Sequence, residues 1–280
     1  MKSSASGSLP EIRQKFGEPL SESDLRSLEG RWISASLAQL AGIRRVSSDE
    51  GREMFARKRG DMAGLIIPYI WPGENRVREY RLRRDHPELE MDPETKTFRE
   101  INKYVGPPGR GNIVYVPPGT EPAALQEAGL PIVLTEGEFK TLALARAATS
   151  DTEERRFLSL GLSGVWNWRG TIGKTYGPDG LRRDVKGVVP DFDRIAWRQR
   201  RVFIAFDADI VRKPSVKAAR SLLVRELRRR NAEVGVIEWP GSQGKGIDDF
   251  LALQGPSAFL ALMASAPSQG GGWRSRLIST

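Results

Sequence analysis

The sequence predicts an α/β protein: a mostly parallel sheet with helices on both faces, preceded by a smaller basic α+β subdomain. Three observations predict it. From residue 121 onward, continuous apolar runs that end in acids alternate with helical segments, as strands buried on both faces do. Residues 64–84 alternate as a β-hairpin does, with arginines on at least one face. The chain has 280 residues of which 39% are hydrophobic, enough for a core, so wholesale disorder is excluded.

The elements follow in order. Residues 1–30 are polar and Ser-rich and read as a flexible arm, with one short helix over 21–28 that Ser21 or Ser23 caps. Trp32, Ile33, Leu37 and Leu40 recur at helical spacing and stop at Gly42. Arg52, Arg57, Lys58 and Arg59 read as a solvated basic stretch. The apolar run 64–71 meets the turn signal Pro72-Gly73-Glu74-Asn75, and residues 77–83 return as a strand. In that strand Arg81 and Arg83 share a face. Residues 88–94 read as acidic and mobile; Asn102-Lys103-Tyr104, a Gly/Pro loop and a strand over 113–116 follow. Residues 31–120 are thus expected to form the basic subdomain.

The second domain is expected over residues 121–256. It comprises a helix over 122–128, a strand over 131–135, a helix over 139–148 and a strand over 202–206. A helix over 215–230, a strand over 233–238, a Gly-rich loop and a helix over 250–253 complete it. Residues 257–280 are Pro/Ser/Gly-rich and read as a disordered tail or linker.

Lys and Arg total 44 against 35 Asp and Glu, a net charge of +9. That excess favours a polyanionic partner, nucleic acid before an anionic membrane surface, with simple solubility as the plain alternative. The absence of Cys and the single His exclude a zinc site built from about four such ligands. They also leave His86 alone for any Ser–His or Cys–His chemistry. No apolar run reaches the roughly 18 residues of a spanning helix, and the first residues carry no apolar signal core. A cytoplasmic protein without membrane contact is expected. Gly173-Lys174-Thr175 lacks the earlier glycine of a P-loop, since Trp168 stands there. Trp166 and Trp168 fit base stacking and core packing equally, and the arginines of 220–230 read as a solvated helix face.

Acids stand where function collects in open α/β sheets, at the carboxyl ends of strands. They are Glu136, then Asp207 and Asp209, with Asp248 and Asp249 in a later loop. Converging carboxylates repel one another, and a hard divalent cation relieves that repulsion. The competing reading is that each acid caps a following helix.

Thr135-Glu136-Gly137-Glu138 and Phe206-Asp207-Ala208-Asp209 resemble the Toprim domain of bacterial-type primases, topoisomerases and some nucleases. The resemblance implies that Glu136, Asp207 and Asp209 are catalytic and bind Mg²⁺ or Mn²⁺, with Asp248 as a further ligand. Residues 244–251 resemble a late primase segment. Upstream, Pro68-Tyr69, Tyr80-Arg81-Leu82-Arg83, Lys103-Tyr104 and Val114-Tyr115 resemble the basic subdomain that precedes Toprim in primases. This implies that Arg81, Arg83, Lys103 and Tyr104, with Lys140, meet nucleic acid. Residues 32–253, including 161–168, resemble the DUF3854 type of Toprim-like domain in plasmid, phage and mobile-element replication proteins. The implied function is Mg²⁺-dependent primer synthesis from nucleotides on a single-stranded DNA template, with a replicative helicase as a further partner. A Toprim nuclease and a catalytically degenerate single-stranded DNA-binding module are the alternatives. Two departures stand out: Lys140 replaces the acid four residues after the Glu, and Gly246 replaces an acid of the late segment.

Overall fold

The structure, a computed structural model, describes residues 16–93, 96–152, 154–209 and 213–267. The chain divides into two compact units. The first takes in residues 35–110 and 118–121 with the segment before residue 27; the second takes in 27–34, 111–117 and the chain from 122.

In the first unit α1 (Glu22–Glu29) begins behind Ser21. Asp24 N donates to Ser21 Oγ at 3.2 Å and Ser21 N donates to an Asp24 carboxylate oxygen at 3.0 Å, so two end donors are satisfied reciprocally. Next come α2 (Ala35–Leu40), β1 (Arg44–Val46) and α3 (Ser48–Met54). Ser47 and Glu50 form a capping box at the start of α3. β2 (Gly64–Tyr69) and β3 (Glu79–Arg84) form the expected hairpin, with Ile66 opposite Leu82 and Ile67 opposite Arg81. β4 (Glu88–Met91) pairs with β5 (Phe98–Ile101), so residues 88–91, expected to be mobile, form one arm of a two-stranded ribbon. β6 (Tyr104–Val105) adds to β3, giving an antiparallel sheet in the order β1-β2-β3-β6. Val46, Phe55, Met62, Ile66, Leu82 and Val105 form the core beneath it.

Asp24 is buried, and the Arg45 guanidinium bonds both its oxygens. That hydrogen bonding, against the cost of burial, lowers the Asp24 carboxyl from 3.8 to about 2. A carboxyl lowered on folding stabilises the protein above its unfolded value, and the gain is lost as pH falls towards the folded one. Asp24→Asn should therefore cost about 2 kcal/mol at neutral pH and little near pH 2. Urea unfolding at the two pH values checks this; an equal cost at both contradicts it.

The second unit is built on a five-stranded sheet in the order β13-β12-β8-β9-β7. Its elements are β7 (Val114–Tyr115), α4 (Pro122–Gln126), β8 (Ile132–Glu136), α5 (Glu138–Ala148) and β9 (Leu158–Leu162). Then follow β10 (Arg169–Tyr176), β11 (Arg182–Val188), β12 (Arg201–Ala205), α6 (Pro214–Arg229), β13 (Glu233–Val236) and α7 (Ile247–Ser265). β13, β12, β8 and β9 run parallel, and only β7 is antiparallel. Ile132, Val133 and Leu134 are fully buried, as a central strand covered on both faces requires.

Four boundaries differ from the sequence reading. The strand expected at 113–116 is the edge strand β7 of this sheet rather than part of the basic subdomain. β9 was not anticipated. The long connection after residue 165 holds the antiparallel ribbon β10–β11. The last helix runs on to Ser265 through a break at Gly255, whose φ of +79° suits glycine, so residues 257–265 are helical rather than a tail. Residues 268–280, the rest of the expected tail, and residues 1–15 of the expected arm lie outside the described residues. Trp168 is buried, while Trp166 is 38% exposed. Among the described residues no helix is long and apolar enough to cross a membrane.

Candidate functional site

The acid end of the parallel sheet is built by three crossings from strand to helix. β8 ends in Thr135-Glu136, and Thr135 Oγ1 donates to Ala205 O at 2.8 Å, locking the carboxyl ends of β8 and β12 together. Gly137, at φ +93°, turns the chain straight into α5, and its N–H donates to Leu162 O at 2.8 Å. Glu136 is thereby held between two strand ends. Asp207 follows β12, and the next amide, Ala208 N, donates to Lys245 O at 3.0 Å. That bond ties the Asp207 loop to residues 244–246, from which α7 starts with the buried Asp248 in its first turn.

Lys140, one turn into α5, forms an ion pair with Asp207. Burial works against its charge, but Asp207, Glu136 and Asp248 outweigh burial and raise the ammonium above its ordinary value. Burial pushes the Glu136 carboxyl up; Asp207 adds to the push and Lys140 opposes it. Both shifts run upward, one favouring the charged form and the other the neutral form, and together they mark one coupled group of charges in a partly dry setting. The other acids are also matched. Asp209 pairs with Lys213 at 2.6 Å, and burial of its carboxyl is outweighed by that hydrogen bond, so it stays below the carboxylate norm. Asp248 Oδ2 accepts from Arg31 at 2.9 Å, while its buried Oδ1 makes no hydrogen bond.

Glu136, Asp207, Asp209 and Asp248 thus all lie in the second unit, but Asp207, Asp209 and Asp248 are each ion-paired. Among the described residues no three His, Cys, Asp or Glu side chains come close enough together to hold a metal ion. As the side chains stand, the expected ligands do not fit a divalent ion. Helix capping does not account for them either: Gly137, Lys213 and Gly246 stand at the three N-caps, and only Asp249 caps, accepting from Gly246 N at 3.1 Å. Gly246 has a steric reason. A Cβ there would stand 2.8 Å from Lys140 Cε and closer still to Asp248 Oδ1.

The basic residues of the first unit share a sheet. Arg83 lies opposite Tyr104 across β3 and β6, and Arg81 lies two residues along the same strand face. All three side chains are half-buried, on the face opposite Leu82 and the core. Lys103 pairs with Glu100 at 2.5 Å. Arg84, the next in line, is buried and structural: it donates to Asp61 O at 2.7 Å and to Glu88 at 2.6 Å. Sequence reasoning missed Arg31 and Lys213 as partners of the acids. Lys213 stands four residues after Asp209, a spacing that signals a pair; Arg31 stands 217 residues from Asp248, and no local signal exists.

The fold is similar to that of primase catalytic cores. The chain is similar to the Aquifex aeolicus primase (zinc-binding and RNA polymerase domains), with a TM-score of 0.53 at 15% identity. That match covers 88% of this chain and 56% of the other, so the chain spans little more than half of that relative. It is also similar to a DnaG primase catalytic domain bound to single-stranded DNA, with a TM-score of 0.52 at 16% identity, over 89% of this chain and 73% of that one. At such identities the likeness is one of fold. Residues 123–258 match the family described as Domain of unknown function (DUF3854). A comparison with curated proteins returned no match.

Proposed function

We propose that the protein is a primase-like nucleic-acid protein that engages single-stranded DNA in the replication of a plasmid, phage or other mobile element. The observation that carries this reading is the gathering of Arg81, Arg83 and Tyr104 on one sheet face, in a chain of net charge +9 with a primase-type fold. Guanidinium groups hold phosphates, and a tyrosine beside them offers a stacking surface for a base. A DNA-bound DnaG catalytic domain among the similar folds supports single-stranded DNA as the ligand. Binding should weaken steeply with salt, because each neutralised phosphate releases counterions. Fluorescence anisotropy with a labelled oligonucleotide at several salt concentrations measures this; a flat salt response would count against the reading.

The acid end supports two readings of what happens to the bound strand. The pairing of Asp207, Asp209 and Asp248 with cations favours a binding module without chemistry of its own. The primase-type fold and the closeness of Glu136 to Asp207 favour primer synthesis dependent on Mg²⁺ or Mn²⁺, which requires Lys140 to give up Asp207. Hydrolysis at the same acids is the remaining variant of the second reading. Incubation with single-stranded DNA, labelled nucleotides and either ion separates them. Short products that Glu136→Gln abolishes, with DNA affinity kept, establish synthesis; shortened template establishes a nuclease; tight binding with neither establishes the module.

A further inference from the structure

The acid end is unusual in that its own chain supplies the cation. Three carboxylates, Glu136, Asp207 and Asp248, act electrostatically on one ammonium, and that ammonium is ion-paired to the middle one. A second observation, of shape rather than charge, points the same way. The stem of Lys140 lies over Gly246 so closely that a methyl group there would stand 2.8 Å from Cε. The two departures from the primase pattern, Lys140 and Gly246, are therefore neighbours: a side chain at 246 would have to displace the lysine stem and Asp248 Oδ1. A third is the Oδ1 of Asp248, buried and without a hydrogen bond, which lies beside Gly246 as the Lys140 stem does. Buried acceptors of this kind are costly unless a cation lies close by.

We infer that Lys140 is the resident cation of the acid end, and that its ammonium competes directly with a divalent ion for Glu136, Asp207 and Asp248. The inference concerns occupancy of the site, and it holds for either reading of the reaction. A tethered ammonium has a single positive charge and donates hydrogen bonds, whereas a divalent ion needs several oxygens around it at once. With Lys140 in place, the ion meets one added positive charge and loses Asp207 as a free ligand. With Lys140 removed, Asp207 loses its ion-pair partner and Glu136 a nearby positive charge, and carboxylates left less compensated in this way favour a divalent ion. In the present structure the set does not fit a metal, and the lysine occupies Asp207.

The test uses the full chain, Mn²⁺ alone and no DNA, so that it is independent of strand binding and of primer synthesis. Free Mn²⁺ is followed by its paramagnetic resonance signal, and thermal melts are recorded in parallel. Lys140→Ala should bind Mn²⁺ at least about tenfold more tightly than the wild type, since an opposing charge close to the ion is gone. Its melting temperature should rise with added Mn²⁺ while that of the wild type stays level. Lys140→Arg, which keeps the charge, should behave as the wild type does. Adding Asp207→Asn to Lys140→Ala should remove the gain. Equal Mn²⁺ affinity in the wild type and Lys140→Ala overturns the inference. Should Lys140→Ala fail to fold, the wild type decides. A Mn²⁺ site in it that Asp207→Asn abolishes shows that the lysine does not hold the ion out. No saturable site in it, with one appearing in Lys140→Gln, upholds the inference.

Discussion

Replacing Arg200 by alanine should lower the melting temperature by on the order of 10 °C, through a loss of about 4 kcal/mol. Arg200 is the largest fully buried side chain of the described residues. Its guanidinium donates to Leu130 O at 2.7 Å, Leu125 O at 2.8 Å, Ala124 O at 2.8 Å and Ala196 O at 3.3 Å. Two of those carbonyls belong to α4, whose last turn has no helical partners for them, and Leu130 stands just before β8. Burial pulls the guanidinium down to about 10, with Glu127 pulling the other way, so the charge itself is held at a cost that these bonds offset. Alanine removes that cost but strands several dry carbonyls and leaves a cavity. Arg200→Lys should recover little, because an ammonium cannot spread its donors in a planar fork. Thermal and urea unfolding of both variants check this. A loss below about 1 kcal/mol for Arg200→Ala would mean that water reaches the carbonyls.

The parts of this fold that show in the sequence are those whose neighbours are close in the chain or whose burial is complete. β8 and β12 are unbroken apolar runs with acids at their ends, so both the strands and Glu136 and Asp207 stand out. The hairpin of β2 and β3 shows through its turn and its alternation. β9 is hidden by its composition. Its residues Ser159 and Gly161 are polar or small, yet wholly buried. Ser159 Oγ donates to Thr141 O at 3.0 Å, and Gly161 leaves room for the Thr141 side chain and for Tyr115. α5 packs on the strand there, which requires small residues that a hydrophobicity pattern does not register.

β7 shows as a strand in the sequence, but the sheet it joins does not. Its two residues are claimed by a distant edge, where Val114 lies opposite Leu162 and its N–H donates to Asp191 at 2.8 Å. The ribbon of β10 and β11 has no apolar face to reveal it, and cross-strand bonds such as Thr171 to Asp184 hold its register. At the acid end the carboxylates were legible one by one, since each follows a strand or opens a helix. Their countercharges were legible only in part: Lys140 was open to pairing with a carboxylate, and the spacing of Lys213 from Asp209 signals a pair. Arg31 reaches Asp248 only in the folded chain, and the ion pair of Lys140 with Asp207 depends on the turn at Gly137.

The double variant Arg81→Gln, Arg83→Gln should lose single-stranded DNA affinity by about 100-fold at low salt, with the salt slope falling by about 1.4, the value for two phosphate contacts at roughly 0.7 each. Both side chains project from the face of β3 opposite the core, so glutamine keeps the strand and the core beneath it while removing the charge. Tyr104→Ala tests the neighbouring position on β6, which lies opposite Arg83. Its expected loss is about 1–3 kcal/mol, the value of one stacked base, with the salt slope unchanged because no phosphate contact is removed. Lys103→Gln should do least. Its ammonium is already paired with Glu100 at the surface, and an exposed pair of this kind contributes at most about 1 kcal/mol. The slopes are the decisive measurement, since a general weakening of the fold would lower affinity in all three variants without separating them. Arginine variants that bind with an unaltered slope would move the template off this sheet face, and the ribbon of β10 and β11, with Lys174, Arg182, Arg183 and Lys186 along it, would be the next surface to neutralise.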